Sequence, residues 1–325
     1  MKRFIMAILV LGVSLSLFNY AQSVSKLHPH THNQFLNYPI LKTLGQPWAG
    51  RGASYWLASK ATAGLQVVAT GQYGRQAVQE VDGQLHLDAR LDARIGAYVA
   101  ALFAMSCVAW IVFYPGVTGL IGIMVTLGAI LWGYMPVTLG NAATRIYPWD
   151  MPAVVAWTWI VVLHSRGYRW WAALLLIPAV MFKETSMLLV ILFIDRKRYV
   201  ELSVACASAA IGSLLAKSLC GWVPGSVELT GWCSGGYTGY RWIYNLRFLF
   251  GFEKGWYFSP ILANCGTILA SVFVCRSKRY ATILVLFCGG IMACGVCHEW
   301  RIWMEVAPVS AMIFSGWAVR TGKEG

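Results

Sequence analysis

Apolar stretches recur along almost the whole chain, and short polar turns separate them. Hydrophobic residues make up 58% of the 325 residues, and charged residues make up only 12%. An average soluble domain carries about twice that share of charge. The pattern predicts an all-α, polytopic transmembrane helix bundle that forms one integral membrane domain over residues 1–325. We count about ten membrane segments, since each needs roughly 20 apolar residues or a short paired hairpin.

Basic residues that flank the apolar segments fall on one side of this threading. By the positive-inside rule that side is the cytoplasm, which places both termini there in a cell-membrane protein. All but three of the 13 acidic residues fall on the opposite side, so any chemistry is predicted at the outer face. The flanking role of the basic residues also explains the net charge of +13 without nucleic-acid binding. The flanking basic residues are Lys2, Arg3, Arg166, Arg169, Arg196, Lys197, Arg198, Arg276, Lys278 and Arg279.

The first apolar segment, 4–20, is predicted as an uncleaved helix rather than a signal peptide, because its exit lacks a small residue at the −3 position. Segments 98–114 and 117–134 are predicted helices joined by a Pro115-Gly116 turn. The later predicted helices are 151–164, 200–216, 259–275, 280–297 and 302–318.

A short hairpin is predicted between 170 and 194. Two apolar arms flank the polar residues 183–186, and basic residues lie at both outer ends. A single helix cannot begin and end on the same side of a membrane, whereas two short arms can. Each arm spans roughly 15–20 Å, less than the usual hydrocarbon thickness. The polar tip is therefore predicted within the outer leaflet, shielded by protein or by a wet cavity.

Two long outer loops are predicted to carry amphipathic interfacial helices. The first, 21–96, is predicted to lie on the membrane surface, and its end holds Asp88 and Asp92 beside a leucine stripe. We interpret this end as a solvated amphipathic segment that precedes the next helix. The alternative interpretation, a catalytic pair of acids, is less favoured. The second loop, 217–258, is aromatic, with an interfacial helix at 241–250. A Cys220–Cys233 disulfide is an open alternative there.

Two polar groups on the outer face are candidate site residues. Arg145 and Asp150 lie at the mouth of helix 151–164, where Asp150 can cap the helix, act as a catalytic acid or base, or do both. Lys183 and Glu184 lie at the hairpin tip, where buried charges need partners and often mark a functional site. A shallow, water-exposed tip is the structural alternative.

A third group precedes and enters the last helix. Glu299 and Arg301 lie before it, and Glu305 follows Arg301 by four residues. In an α-helix that spacing places Arg301 and Glu305 on one face, where they can pair. Arg301 is equally suited to clamp a phosphate. Two roles, a structural pair and a phosphate site, therefore remain open. Lys183 is the predicted long-range partner of Glu305.

The histidines at 28, 30 and 32 alternate, so an extended segment would present them on one side. No nearby carboxylate or cysteine completes a ligand set, so no metal site is predicted. No nucleotide-binding motif is found either, and no cofactor is predicted.

Several short motifs share an order with a known family. An aromatic-Asp-Pro-like segment at 147–152 opens one helix. It is followed by a basic turn at 166–169 and by the Lys-Glu-Thr tip at 183–185. Glu299-Trp300-Arg301 is followed by Pro308, and Tyr38-Pro39 is followed by Gln46-Pro47-Trp48. Over about half the chain, these motifs resemble those of GT-C-type membrane glycosyltransferases that use polyprenyl-phosphate sugars.

The resemblance implies transfer of a sugar from a lipid-phosphate donor to an acceptor at the outer face. It implies Asp150 and Glu184 as catalytic residues and a phosphate site drawn from the other polar residues. The chain departs from the family in one respect, because residues 21–79 lack the acid usual in the first outer loop. That absence shifts the base to Asp150, Glu184 or a late loop acid. A multi-pass transporter with a carboxylate-lined site and a non-catalytic scaffold are the two alternatives. The implied phosphate-binding residues are Arg145, Lys183, Glu299, Arg301 and Glu305.

Overall fold

A computed structural model describes residues 1–27, 53–54, 56–58, 60, 79–81, 84–86, 89–134, 146–195, 197–220, 268, 270–294 and 300–321. The regular structure in these residues is helical apart from one two-stranded antiparallel β-hairpin, which confirms the all-α class. The α-helices are α1 (Lys2–Leu27), α2 (Ala89–Phe113), α3 (Val117–Gly133), α4 (Asp150–Ser165), α5 (Arg169–Leu174), α6 (Leu176–Phe182), α7 (Tyr199–Cys220), α8 (Lys278–Cys294) and α9 (Ala307–Thr321). The strands are β1 (Gln79–Val81) and β2 (Gln84–His86), and two 3₁₀-helices span Glu184–Phe193 and Trp300–Val306.

Three helices in the described ranges are long and apolar enough to cross a membrane, over Lys2–Ser25, Leu91–Phe113 and Tyr199–Ala216. Val117–Gly133 and the two arms of the hairpin are apolar but shorter. The membrane class is therefore supported, whereas the predicted count of about ten segments is not confirmed.

Helix α1 is apolar on its exposed face as well as on its buried face. Leu17 and Ala21 are buried against the bundle, yet the opposite face is also apolar and exposed. Apolar residues on all sides of a helix are typical of a membrane environment. The outward stripe follows helical spacing and consists of Phe4, Ile8, Leu11 and Leu15.

Helix boundaries follow local chemistry. Gly116 between α2 and α3 has a φ of 135°, a conformation that side chains with a Cβ rarely adopt, so the predicted Pro115-Gly116 turn is confirmed. Pro178 lacks an N–H donor, and its ring collides with the carbonyl four residues earlier. This explains why the helix breaks between α5 and α6. Pro308 lies in the first turn of α9, where a missing N–H is tolerated, so the preceding residues form a separate 3₁₀-helix.

The predicted hairpin is present. Arg169 at the start of the first arm lies 3.5 Å from Asp195, just after the second arm, so both arms begin and end together. The first arm has 14 α-type residues and spans roughly 21 Å. The second has only 10 residues, but a 3₁₀-helix rises about 2.0 Å per residue and so spans roughly 20 Å. The 3₁₀ conformation therefore lets a shorter arm match a longer one.

Helix α4 lies at the centre of the bundle, with 13 of its 16 residues buried. One hydrophobic core joins it to α1, α2 and α3. A second core joins it to the hairpin, α7, α8 and α9. The polar side chains of Asp150 and Thr158 on this central helix are consequently shielded by protein.

The bundle has two polar ends. At the basic end, Arg3 of α1 donates to the backbone oxygen of Val112 at the end of α2 (3.1 Å), and Arg279 of α8 lies 3.4 Å from Asp195. At the tip end, the Tyr20 hydroxyl donates to the carbonyl oxygen of Tyr134, just beyond α3 (2.8 Å). We define the basic end as Lys2, Arg3, Arg166, Arg169, Lys197, Arg198, Arg276, Lys278 and Arg279. We define the tip end as the surroundings of Asp150, Lys183 and Glu305.

The loop predictions need correction where the structure describes them. Helix α1 continues to Leu27 and α2 begins at Ala89, so the first loop is shorter than 21–96 and contains β1 and β2. Helix α7 extends to Cys220 rather than 216. Asp92 is buried rather than solvated, because α2 packs along α1 at this point. The histidines 28–32, Asp88, Cys233 and the helix at 241–250 lie outside the described residues.

Gly212 on α7 provides a test of helix packing. A Cβ added there would lie 2.5 Å from the carbonyl oxygen of Ile177 on α6, so the helices would have to separate. We expect Gly212→Ala to destabilise the protein by about 1–3 kcal/mol. Gly128→Ala is the matched control, since a Cβ at Gly128 meets no atom within 4 Å. Unfolding in mild detergent should separate the two variants, and equal stability would contradict the close contact.

Candidate functional site

The tip of the hairpin carries a buried ionic cluster. Lys183 lies between α6 and the first 3₁₀-helix, and its side chain is 4% exposed. Its ammonium group donates to a carboxylate oxygen of Glu305 and lies 3.7 Å from Oδ1 of Asp150. The Thr185 hydroxyl donates to the other oxygen of Glu305. Three segments that are far apart in sequence thus meet through four polar side chains.

Backbone geometry explains how these groups meet. Asp150 is the first residue of α4, which begins at the tip end, and its side chain is 1% exposed. Lys183 has an extended backbone (φ −158°, ψ 130°) between the two arms, so its side chain leaves the hairpin at the turn. Glu305 lies in the second 3₁₀-helix, immediately before α9. Each charged residue therefore lies at the end of an element.

Burial makes the ionic contacts obligatory. Each buried charge loses several kcal/mol of hydration, and only partners of opposite charge and hydrogen bonds offset this loss. Lys183 has both a hydrogen-bonded carboxylate and a second carboxylate within reach. A buried ion pair contributes little net stability, so folding stability alone does not account for this arrangement.

Neutral residues hold the cluster in place. The Tyr98 hydroxyl of α2 donates to the carbonyl oxygen of Pro148 (2.7 Å), which fixes the turn before Asp150. The Trp157 indole of α4 donates to the hydroxyl of Ser186 on the hairpin (3.0 Å). The Ser54 hydroxyl donates to the carbonyl oxygen of Phe182 (3.1 Å), so a piece of the first loop packs beside the tip.

The structure describes some of the predicted site residues and not others. The structure brings Asp150, Lys183 and Glu305 together, and Glu184 lies half-buried next to Lys183 in the chain. Arg145 and Glu299 lie outside the described residues, and the side chain of Arg301 is also outside them.

A local pair with Glu305 was one of the two roles predicted for Arg301, on the basis of α-helical spacing. Residues 300–306 form a 3₁₀-helix, in which positions three apart rather than four share a face. The side chain of Arg301 lies outside the described residues, so this pairing stays a prediction. The contact observed for Glu305 is with Lys183, the predicted long-range partner.

Sequence reasoning missed most of the supporting residues. Thr185 is the exception, because it belongs to the Lys-Glu-Thr tip that the sequence singled out. Tyr98 and Ser54 lie in segments with no motif, and their hydrogen bonds join positions 50 and 128 residues apart. No pattern in the sequence signals these contacts.

The cluster can support two kinds of chemistry. A carboxylate such as Asp150 can accept a proton from a hydroxyl group, and an ammonium such as Lys183 can stabilise a phosphate oxygen. Among the described residues, no group of three or more histidine, cysteine, aspartate or glutamate side chains is arranged to hold a metal ion.

A different ionic network lies at the basic end. Glu201 contacts Arg169 (3.2 Å) and Arg198 (2.9 Å), while Asp195 contacts Arg169 and Arg279. The backbone N–H of Lys197 donates to Asp195, and this bond, reinforced by Arg279 and Arg169, lowers the pKa of the Asp195 carboxyl. This network therefore stays ionised at neutral pH and ties the hairpin to α7 and α8.

Comparison with protein-family models, with curated proteins and with solved structures finds no match for this chain.

Proposed function

We propose that this chain is an integral membrane glycosyltransferase that takes a sugar from a lipid-phosphate donor at the outer face of the cell membrane. One observation carries the proposal. The three segments that resemble GT-C-type motifs, namely the Asp150 mouth, the Lys183 tip and the stretch before Pro308, contribute the residues of one buried cluster.

The proposed reaction assigns a role to each group. Asp150 accepts the proton of an acceptor hydroxyl as its oxygen attacks the anomeric carbon. The bond between that carbon and the phosphate oxygen breaks, and the lipid phosphate leaves with the electron pair. Lys183 stabilises the departing phosphate, while Glu305 and Thr185 hold Lys183 in position. Glu184 remains a second candidate base. Arg145, Glu299 and Arg301 remain candidates for the phosphate site.

The proposed topology places about ten segments in the membrane with both termini in the cytoplasm. The basic end then faces the cytoplasm and the tip end faces outward. Helix α4 is about 24 Å long, so the cluster lies below the outer boundary of a hydrocarbon core of about 30 Å.

A transporter is the second candidate, and the broken hairpin favours it. Discontinuous membrane segments with a buried ionic cluster at the break are common at the coupling sites of secondary transporters. In this alternative, the ion pairs of Lys183 with Asp150 and Glu305 would exchange during transport instead of binding a phosphate.

Turnover of a polyprenyl-phosphate sugar separates the two candidates. We expect the purified full-length protein to release polyprenyl phosphate from such a donor only when an acceptor is present. The same preparation in sealed vesicles should show no solute flux that depends on a proton or sodium gradient. Gradient-driven flux without sugar turnover would refute the transferase and favour the transporter.

A further inference from the structure

The basic end contains charged side chains from several helices. Arg3 binds the end of α2, while Arg166 donates to the backbone oxygen of Phe113 and its guanidinium lies 3.8 Å from the ring centre of Tyr114. Arg169 and Arg279 share the carboxylate of Asp195. These contacts join α1 and the end of α4 to the end of α2, and they join the hairpin to α8.

Acidic residues at this end neutralise only a small part of the charge. The basic end contains nine basic residues, and the described acidic residues there are Asp195 and Glu201. Both carboxylates already contact arginines. Lys197 and Lys278 are exposed, and the structure gives their ammonium groups no ion pair with a described residue. The basic end therefore carries an excess of positive charge at its surface.

Aromatic side chains surround the same charges. Trp170 is 51% exposed and Trp171 is 65% exposed, directly after Arg169. Tyr199 is 67% exposed, directly after Arg198. Exposed tryptophan and tyrosine are typical of the headgroup level of a membrane protein. The combination places the excess charge at the height of lipid phosphates rather than in open water.

We propose that the basic end binds the headgroups of anionic phospholipids, and that it gathers these lipids around Trp170 and Trp171. The exposed lysines supply the attraction, and the aromatic rings fix the depth at which the headgroups meet them. Charge complementarity selects this partner, because a zwitterionic headgroup has no net charge to compensate. The inference does not depend on the proposed sugar chemistry.

Brominated lipids provide the test, because they quench tryptophan fluorescence at short range. Full-length protein is placed in phosphatidylcholine vesicles that contain a small share of either brominated phosphatidylglycerol or brominated phosphatidylcholine. We expect stronger quenching by the anionic lipid and loss of the difference at high salt. In a Trp170→Phe/Trp171→Phe variant, most of the difference should disappear.

Charge variants determine which surface is responsible. Removing one charge near an anionic surface weakens lipid association about fivefold. Lys197→Gln and Lys278→Gln should therefore each reduce the preference for anionic lipid by that factor. Lys60→Gln removes a charge near Trp56, six residues after Ser54, which packs beside the tip, and should leave the preference unchanged. Equal quenching by both lipids, or an equal effect of Lys60→Gln, would overturn the proposal.

Discussion

Replacing Lys183 by methionine is expected to destabilise the protein by about 3–5 kcal/mol, because removal of one partner leaves buried carboxylates uncompensated. Methionine preserves the length of the side chain, so the change removes charge with little change in packing. Glu305 would lose a hydrogen-bonded partner, and Asp150 would lose a cation 3.7 Å away. Unfolding of the protein in mild detergent, monitored by its fluorescence, measures the change in the free energy of unfolding.

A double-mutant cycle separates this ionic effect from general damage. Glu305→Gln keeps the shape of the side chain, and the double variant Lys183→Met/Glu305→Gln removes both charges. We expect the double variant to be more stable than the sum of the single effects predicts, by about 0.5–3 kcal/mol. Lys278→Met, at an exposed lysine, should change stability by less than about 0.5 kcal/mol. Purely additive effects would show that Lys183 and Glu305 are not coupled.

Local chemistry made much of the fold predictable. The turn at Pro115-Gly116 and the bounds of α4 follow from residues whose effects act over a few positions. The hairpin followed from charge, because basic residues at both ends of a polar-tipped apolar stretch require both arms to return to one side. The contact between Arg169 and Asp195 shows that the two arms return to the same end of the bundle.

Long-range contacts were harder to predict. The 3₁₀ form of Glu184–Phe193 depends on the distance that the second arm must span, and a sequence pattern does not encode that distance. The spacing of Arg301 and Glu305 did not show that residues 300–306 form a 3₁₀-helix rather than an α-helix. The hydrogen bond from Tyr98 to Pro148 required knowledge of which helices are neighbours. In the candidate site, the charged residues could therefore be predicted, whereas the neutral residues that position them could not.

Asp150 provides the most specific test of the proposed reaction. Asparagine has the same shape as aspartate but cannot accept the acceptor proton, and a general base contributes about 10²–10⁴-fold to a rate. We expect Asp150→Asn to lower the rate of polyprenyl-phosphate release by that factor at saturating donor. Donor binding should change little, because Lys183 and its contact with Glu305 remain.

A folded but inactive variant is the decisive result, and a second carboxylate provides the control. Asp195 also contacts two basic residues, but it lies at the basic end, away from the proposed base. Asp195→Asn should therefore leave turnover within about twofold of the wild type. The detergent unfolding midpoint of Asp150→Asn should stay close to that of the wild type, because Lys183 keeps one carboxylate partner. Retention of full turnover by Asp150→Asn would exclude this residue as the base and would leave Glu184, at the same tip, as the group to test next.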